Sequence, residues 1–230
     1  MSELLSIGIL PVVLTLFAYQ IGVLCQKKCK LPVFNPILIA VVVVLAALSL
    51  TGLECQRYQE GMKLLSWLMT PATVCLAIPM YEQVQILRKN LKGILVGVAA
   101  GTVSCLTLLL VCMLVLGFDR SLSVSLLPKG ITTAIGMPLA ELYGGVPSVT
   151  TLGIIFTGIF GNVMGTQFCK WFGITDEIAQ GVSFGTGSHV IGTTKASELS
   201  PLAGAVSSVS LVVSGLLTAI LFPEYWPFDL

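Results

Sequence analysis

Apolar residues fall along this chain in blocks of about twenty, separated by short polar stretches, with none of the strict alternation of a half-buried strand. A block of that length makes a helix of roughly 30 Å, the thickness of a bilayer's hydrocarbon core. The pattern predicts about eight membrane segments, at 4–24, 32–51, 64–86, 92–117, 121–142, 147–172, 175–199 and 201–222. Three of them are interrupted. Pro71 and Pro79 cut the third and Pro128, Gly130 and Pro138 the fifth, while the seventh contains "GTGSHVIGTTKASE" (185–198). The expectation is an all-α polytopic membrane protein, a single membrane domain over 1–230 with segments three, five and seven discontinuous.

Composition sharpens this picture. Hydrophobic residues make up 55% of the chain and charged residues only 10%, against roughly a quarter charged in soluble domains. A net charge of +1 supplies no basic patch and argues against a nucleic-acid partner. The first segment starts with an acid, Glu3, and ends in lysines rather than a small-residue cleavage site, so it reads as a retained helix. Seven scattered cysteines and one histidine give no zinc-site spacing and no disulfide framework. No metal and no cofactor are expected.

Lys27, Lys28 and Lys30 follow segment one, and Arg88, Lys89 and Lys92 follow segment three. Both clusters belong in the cytoplasm if the N-terminus lies outside and segments one to three each cross once. The tail "FPEYWPF" has the aromatic character of a membrane interface. A faint internal echo is also present. Thr73, Pro79 and Glu82 recur 59 residues on as Thr132, Pro138 and Glu141, and Gly93, Ile94, Gly101 and Val103 recur after 60 as Gly153, Ile154, Gly161 and Val163. Interrupted helices at matching places in two repeats point to a transporter's binding site.

Backbone that is not helical survives in lipid only when buried in protein or lining a watery cavity. The new N-terminus at such a break carries a partial positive charge suited to an anion. "LLPKGITTAI" puts Lys129, Thr132 and Thr133 at one break. The opening stretch puts Ser188, His189, Thr193, Thr194 and Lys195 at the other, so the two read as halves of one anion site. Each residue also has a plainer reading. Threonines and glycines pack membrane helices, lysines snorkel to headgroups, and Glu82, Glu141 and Glu198 mark helix ends. Glu198 stands three residues after Lys195, within reach of a salt pair. An ionisable group inside a membrane segment is nonetheless a functional candidate. His189 is therefore a candidate proton acceptor or hydrogen-bond donor, with Glu82, Glu141 and Glu198 as coupling or gating candidates.

An enzyme fits poorly. The glycine-rich stretch matches neither a dinucleotide nor a phosphate-loop pattern, and Ser188 and His189, adjacent on a helix, point about 100° apart.

"FNPILIA" (34–40), "IPMYEQ" (78–83), "LPKGITTAIGM" (127–137) and "GTGSHVIGTTKASEL" (185–199) resemble the signature stretches of the bacterial LrgB/CidB family, whose plant relative is the plastidial glycolate/glycerate translocator. The likeness covers nearly the whole chain. One departure is Ala134, where several relatives carry proline. The resemblance implies a multi-pass protein of the bacterial cell membrane, working with a four-helix partner of the LrgA/CidA type and forming a homo-oligomer such as a dimer. Two activities attach to the family. One is transport of small carboxylates such as pyruvate, glycolate and glycerate; the other is holin-like or antiholin-like modulation of murein hydrolases and lysis. Lysine-threonine breaks at membrane depth favour the first, with a proton as the expected companion.

Overall fold

The computed structural model describes residues 2–29, 36–52, 54–75 and 77–223. Lys30, the start of "FNPILIA" and the aromatic tail from 224 lie outside that set, as do the side chains of Thr73 and Pro79. Every regular element among the described residues is helical, and the chain forms two compact units, Met1–Cys75 and Leu76–Leu230.

The first unit holds α1 (Ser2–Cys29), α2 (Pro36–Thr51), α3 (Cys55–Gly61) and α4 (Lys63–Cys75). α1 and α2 pack through Ala18, Val44 and Leu48, with Tyr58 of α3 laid against them. Gly22 permits that approach, since a Cβ there would stand 2.5 Å from the Pro36 carbonyl oxygen. The polar stretch 52–63 holds a short helix because Tyr58 is anchored, its hydroxyl 2.6 Å from Thr15 Oγ1.

The second unit contains α5 (Ala77–Glu82), α6 (Val84–Leu116), α7 (Arg120–Leu126), a 3-10 turn (Leu127–Gly130), α8 (Thr133–Leu142), α9 (Pro147–Trp171), α10 (Glu177–Leu199) and α11 (Pro201–Leu221). α10 packs against α11, α9 and α6. Ile94 and Val98 of α6 meet Ala205 and Val206 of α11 in one core, and Phe184 and Ala196 of α10 meet Cys169 and Ala203 in another. Local chemistry sets the ends. Asp176 caps α10 by accepting from the Ala179 amide at 2.8 Å, Ser200 caps α11 by accepting from Ala203 at 3.0 Å, and Gly117 closes α6 at φ 66.

Among the described residues four helices have the length and apolar character to cross a membrane: Ile9–Lys28, Val84–Leu116, Pro147–Trp171 and Pro201–Leu221. The other expected segments are present as helices of a different kind. α2 is apolar but has 16 residues, and segment three divides into α4 and α5. Segment five divides into α7, the 3-10 turn and α8, and segment seven is a single polar helix with a break. α6 begins at Val84 rather than 92, because "RKNLK", although charged, is rich in helix formers and joins "VQIL" to the apolar run without a break. The eight crossings and the internal repeat therefore remain expectations.

Candidate functional site

Two breaks in regular helix lie close together in the second unit. In the first, the 3-10 turn passes through Pro128 at φ −84, ψ 17, then Ile131 at φ −113, ψ −178 and Thr132 at φ −73, ψ 150, before α8 starts. In the second, α10 is interrupted at His189, whose φ of 42 and ψ of −137 is a conformation that favours glycine. The breaks adjoin through α10: a Cβ on Gly130 would stand 4.0 Å from the Thr186 carbonyl oxygen.

The second break is held by its neighbours. His189 is 4% exposed, and its Nε2 lies 2.9 Å from the Ile154 carbonyl of α9, to which a protonated Nε2 donates. The ring fits because Gly158 has no side chain; a Cβ there would be 2.6 Å from His189 Cε1. One turn along α9, Gly161 leaves room for Ser188, whose Cβ would be 2.5 Å from a Gly161 Cβ. The Ile191 carbonyl accepts from Asn162 Nδ2 at 2.8 Å and from Thr194 Oγ1 at 2.8 Å, and the His189 carbonyl accepts from Thr193 Oγ1 at 2.9 Å. These bonds meet the requirement that buried carbonyls be satisfied inside a membrane. They also commit several of the predicted ligand groups to structure.

The predicted site residues separate accordingly. Thr193 is buried, its hydroxyl 2.8 Å from that of Ser207 on α11. Thr194 is exposed and bonded to its own helix. Lys195 pairs with Glu198 at 2.7 Å, so its charge is compensated. Thr132 occupies the N-cap position of α8 without a side-chain cap bond, and Thr133 opens that helix; both are half-buried. Glu82 and Glu141 are exposed near the ends of α5 and α8.

Lys129 and Ser188 differ from the rest. Lys129 is half-buried without a hydrogen-bond or ion-pair partner among the described residues, and it lines a crevice of about 430 Å³ with Leu126, Gly153, Phe156 and Thr157. Ser188 lines a crevice of about 300 Å³ with Thr157, Gly161, Phe168 and Phe184. Among the residues of the single anion site expected from sequence, Lys129 and Ser188 thus line two different crevices along α9, with Thr157 in the wall of both. Neither is lined by Thr132, Thr133 or Lys195.

Sequence reasoning missed Asn162, Thr157 and the polar face of α11. Ser207, Ser210, Ser214 and Thr218 are all at most 3% exposed. Their spacing of three, four and four was a readable helical stripe. Asn162 was readable too, as an amide midway along an apolar glycine-rich span. No cluster of histidine, cysteine and acidic residues able to hold a metal occurs among the described residues.

Long apolar helices around two breaks in regular helix define a polytopic α-helical membrane protein. More particularly, the chain belongs to the LrgB-like family, whose profile matches residues 15–228. It is 32% identical over 218 residues to the antiholin-like protein LrgB of Bacillus mycoides (strain KBAB4), covering 94% of this chain and 95% of that protein. The antiholin-like LrgB proteins of Bacillus cereus (strain B4264) and Bacillus anthracis (strain CDC 684 / NRRL 3495) match with the same identity and coverage. No solved structure matches the chain.

Proposed function

We propose that this chain is an antiholin-like protein of the bacterial cell membrane whose molecular activity is the selective passage of small carboxylate anions. The antiholin-like part follows the relatives' names. The carboxylate part is supported by one observation, Lys129: an ammonium without a partner among the described residues, half-buried against apolar walls beside a broken helix. Ionisable groups are costly at membrane depth and mark substrate paths, and an anion of one negative charge would neutralise this one. The substrate passes along α9, from Lys129 past Thr157 to Ser188, with pyruvate, glycolate and glycerate as candidates. Modulation of murein hydrolases and lysis follows as a consequence of carboxylate traffic. A partner of the LrgA/CidA type and a second copy of the chain complete the working assembly.

The test is uptake of labelled pyruvate, glycolate and glycerate into proteoliposomes, with and without that partner. Saturable uptake of one anion class supports the reading. Unselective, non-saturable leak refutes it in favour of a holin-like pore. A second reading, lysis control without transport, is favoured by the relatives' names alone. It predicts that Lys129→Ala restores normal lysis to a strain lacking the gene, whereas the transport reading predicts that it does not.

A further inference from the structure

Where the two breaks adjoin, α6, α10, α11 and the 3-10 turn enclose a small cavity of about 10 Å³ that belongs to neither crevice. Its polar lining is Thr102, Thr186, Ser214 and Thr218, together with Gly130 at the end of the turn and the Cys105 thiol. Thr102 is 4% exposed, and its Oγ1 and that of Thr186 are fully enclosed without a hydrogen-bond partner among the described residues. Two orphaned hydroxyls around one small space are costly unless something occupies it, since a buried hydroxyl without a partner forfeits the hydrogen bonds it made in water. Ser214 donates to the Leu211 carbonyl at 3.1 Å, which leaves its oxygen lone pairs available as acceptors.

We propose that this cavity is a binding site for one sodium ion. The space suits a single water-sized particle and nothing larger. Its oxygens are neutral hydroxyls, hard donors of the kind small cations take, and Gly130 and Ile131 bring the non-helical turn alongside; unwound backbone at broken helices is where transporters coordinate sodium. No carboxylate lines it, so a divalent ion would keep a charge of two uncompensated, and a soft metal would find one thiol. The Lys129 ammonium is within electrostatic reach of Cys105 in the cavity wall and opposes the cation. A carboxylate paired with Lys129 removes that opposition. Anion and sodium therefore bind cooperatively, each raising the affinity of the other by the same factor. Binding of sodium alone needs no transport; the cooperativity rests on the transport reading above.

The experiment is thermal unfolding of the purified full-length protein in detergent, in sodium, potassium and choline chloride at equal ionic strength. A ligand of the native state raises the apparent Tm in a saturable way. We expect such a rise with sodium, a smaller one with potassium and none with choline. Thr102→Val and Thr186→Val each abolish it, Thr102→Ser retains it, and Lys129→Met lowers the sodium concentration needed by several-fold. Identical Tm in the three salts overturns the site, as does a sodium shift that survives in Thr102→Val; a structural water then fills the cavity. A sodium shift that pyruvate, glycolate and glycerate leave unchanged keeps the sodium site and sinks the cooperativity.

Discussion

Glycine should be better than alanine at position 189, although that position lies inside a 23-residue helix. In an ordinary helix interior the order is reversed, with glycine worse by about 1 kcal/mol. His189, however, adopts φ 42 and ψ −137, where a Cβ collides with its own backbone. Residues held in such regions cost about 1–3 kcal/mol each. Both His189→Ala and His189→Gly lose the bond to the Ile154 carbonyl, worth about 1 kcal/mol, and both leave the space of the imidazole. Those terms cancel in the comparison. What remains is the strain relieved by glycine, less about 0.5–1 kcal/mol for its larger unfolded-state entropy. The glycine variant should therefore be the more stable by up to about 2.5 kcal/mol, with about 1 kcal/mol at the centre of the range. Thermal or denaturant unfolding of the two variants in the same detergent measures the difference directly. An alanine variant more stable than the glycine one would mean that α10 runs unbroken through 189, and the account of the two breaks would fail with it.

Lys129→Ala should abolish saturable carboxylate uptake while membrane insertion and protein level stay normal; retained uptake in proteoliposomes removes Lys129 from the site. Gly161→Ala should destabilise the protein by about 1 kcal/mol, the balance of an overpacking cost of roughly 1–3 against a helix-propensity gain of about 1. Ser188→Gly should restore the loss, because Ser188 is what the new methyl meets; absence of rescue in unfolding experiments disproves that contact. His189→Gln should keep the fold, since its amide can donate to the Ile154 carbonyl. If the imidazole also carries a coupled proton, uptake by this variant should lose its pH dependence between roughly pH 5 and 8; a wild-type profile assigns the side chain to holding the break.

The long apolar spans were legible because lipid leaves a chain so few options: α1, α6, α9 and α11 each read directly as a run of apolar residues. The breaks were legible for a related reason. Pro128 and the glycine-rich stretch around 185–192 cannot sustain an unbroken helix at low cost, and the breaks fall at Pro128 and at His189, inside the two stretches read as interrupted. Which polar groups were spent in holding those breaks was not legible. Thr193 carries the same side-chain chemistry whether it faces a ligand or a neighbouring helix, and only the packing of α10 on α11 committed it to Ser207; the Lys195–Glu198 pair, by contrast, was legible in its spacing of three. The reverse holds for Lys129, Thr157, Thr102 and Thr186. Their lining of crevice and cavity comes from residues far away in sequence, brought alongside by Gly153, Gly161 and Gly101. Sequence by itself determined which segments are apolar enough for long membrane-type helices and where two of the helices break, because desolvation acts on each segment separately. Tertiary structure alone decided which hydroxyls and charges were left without partners, because satisfaction of a polar group is a property of the pair and not of the residue.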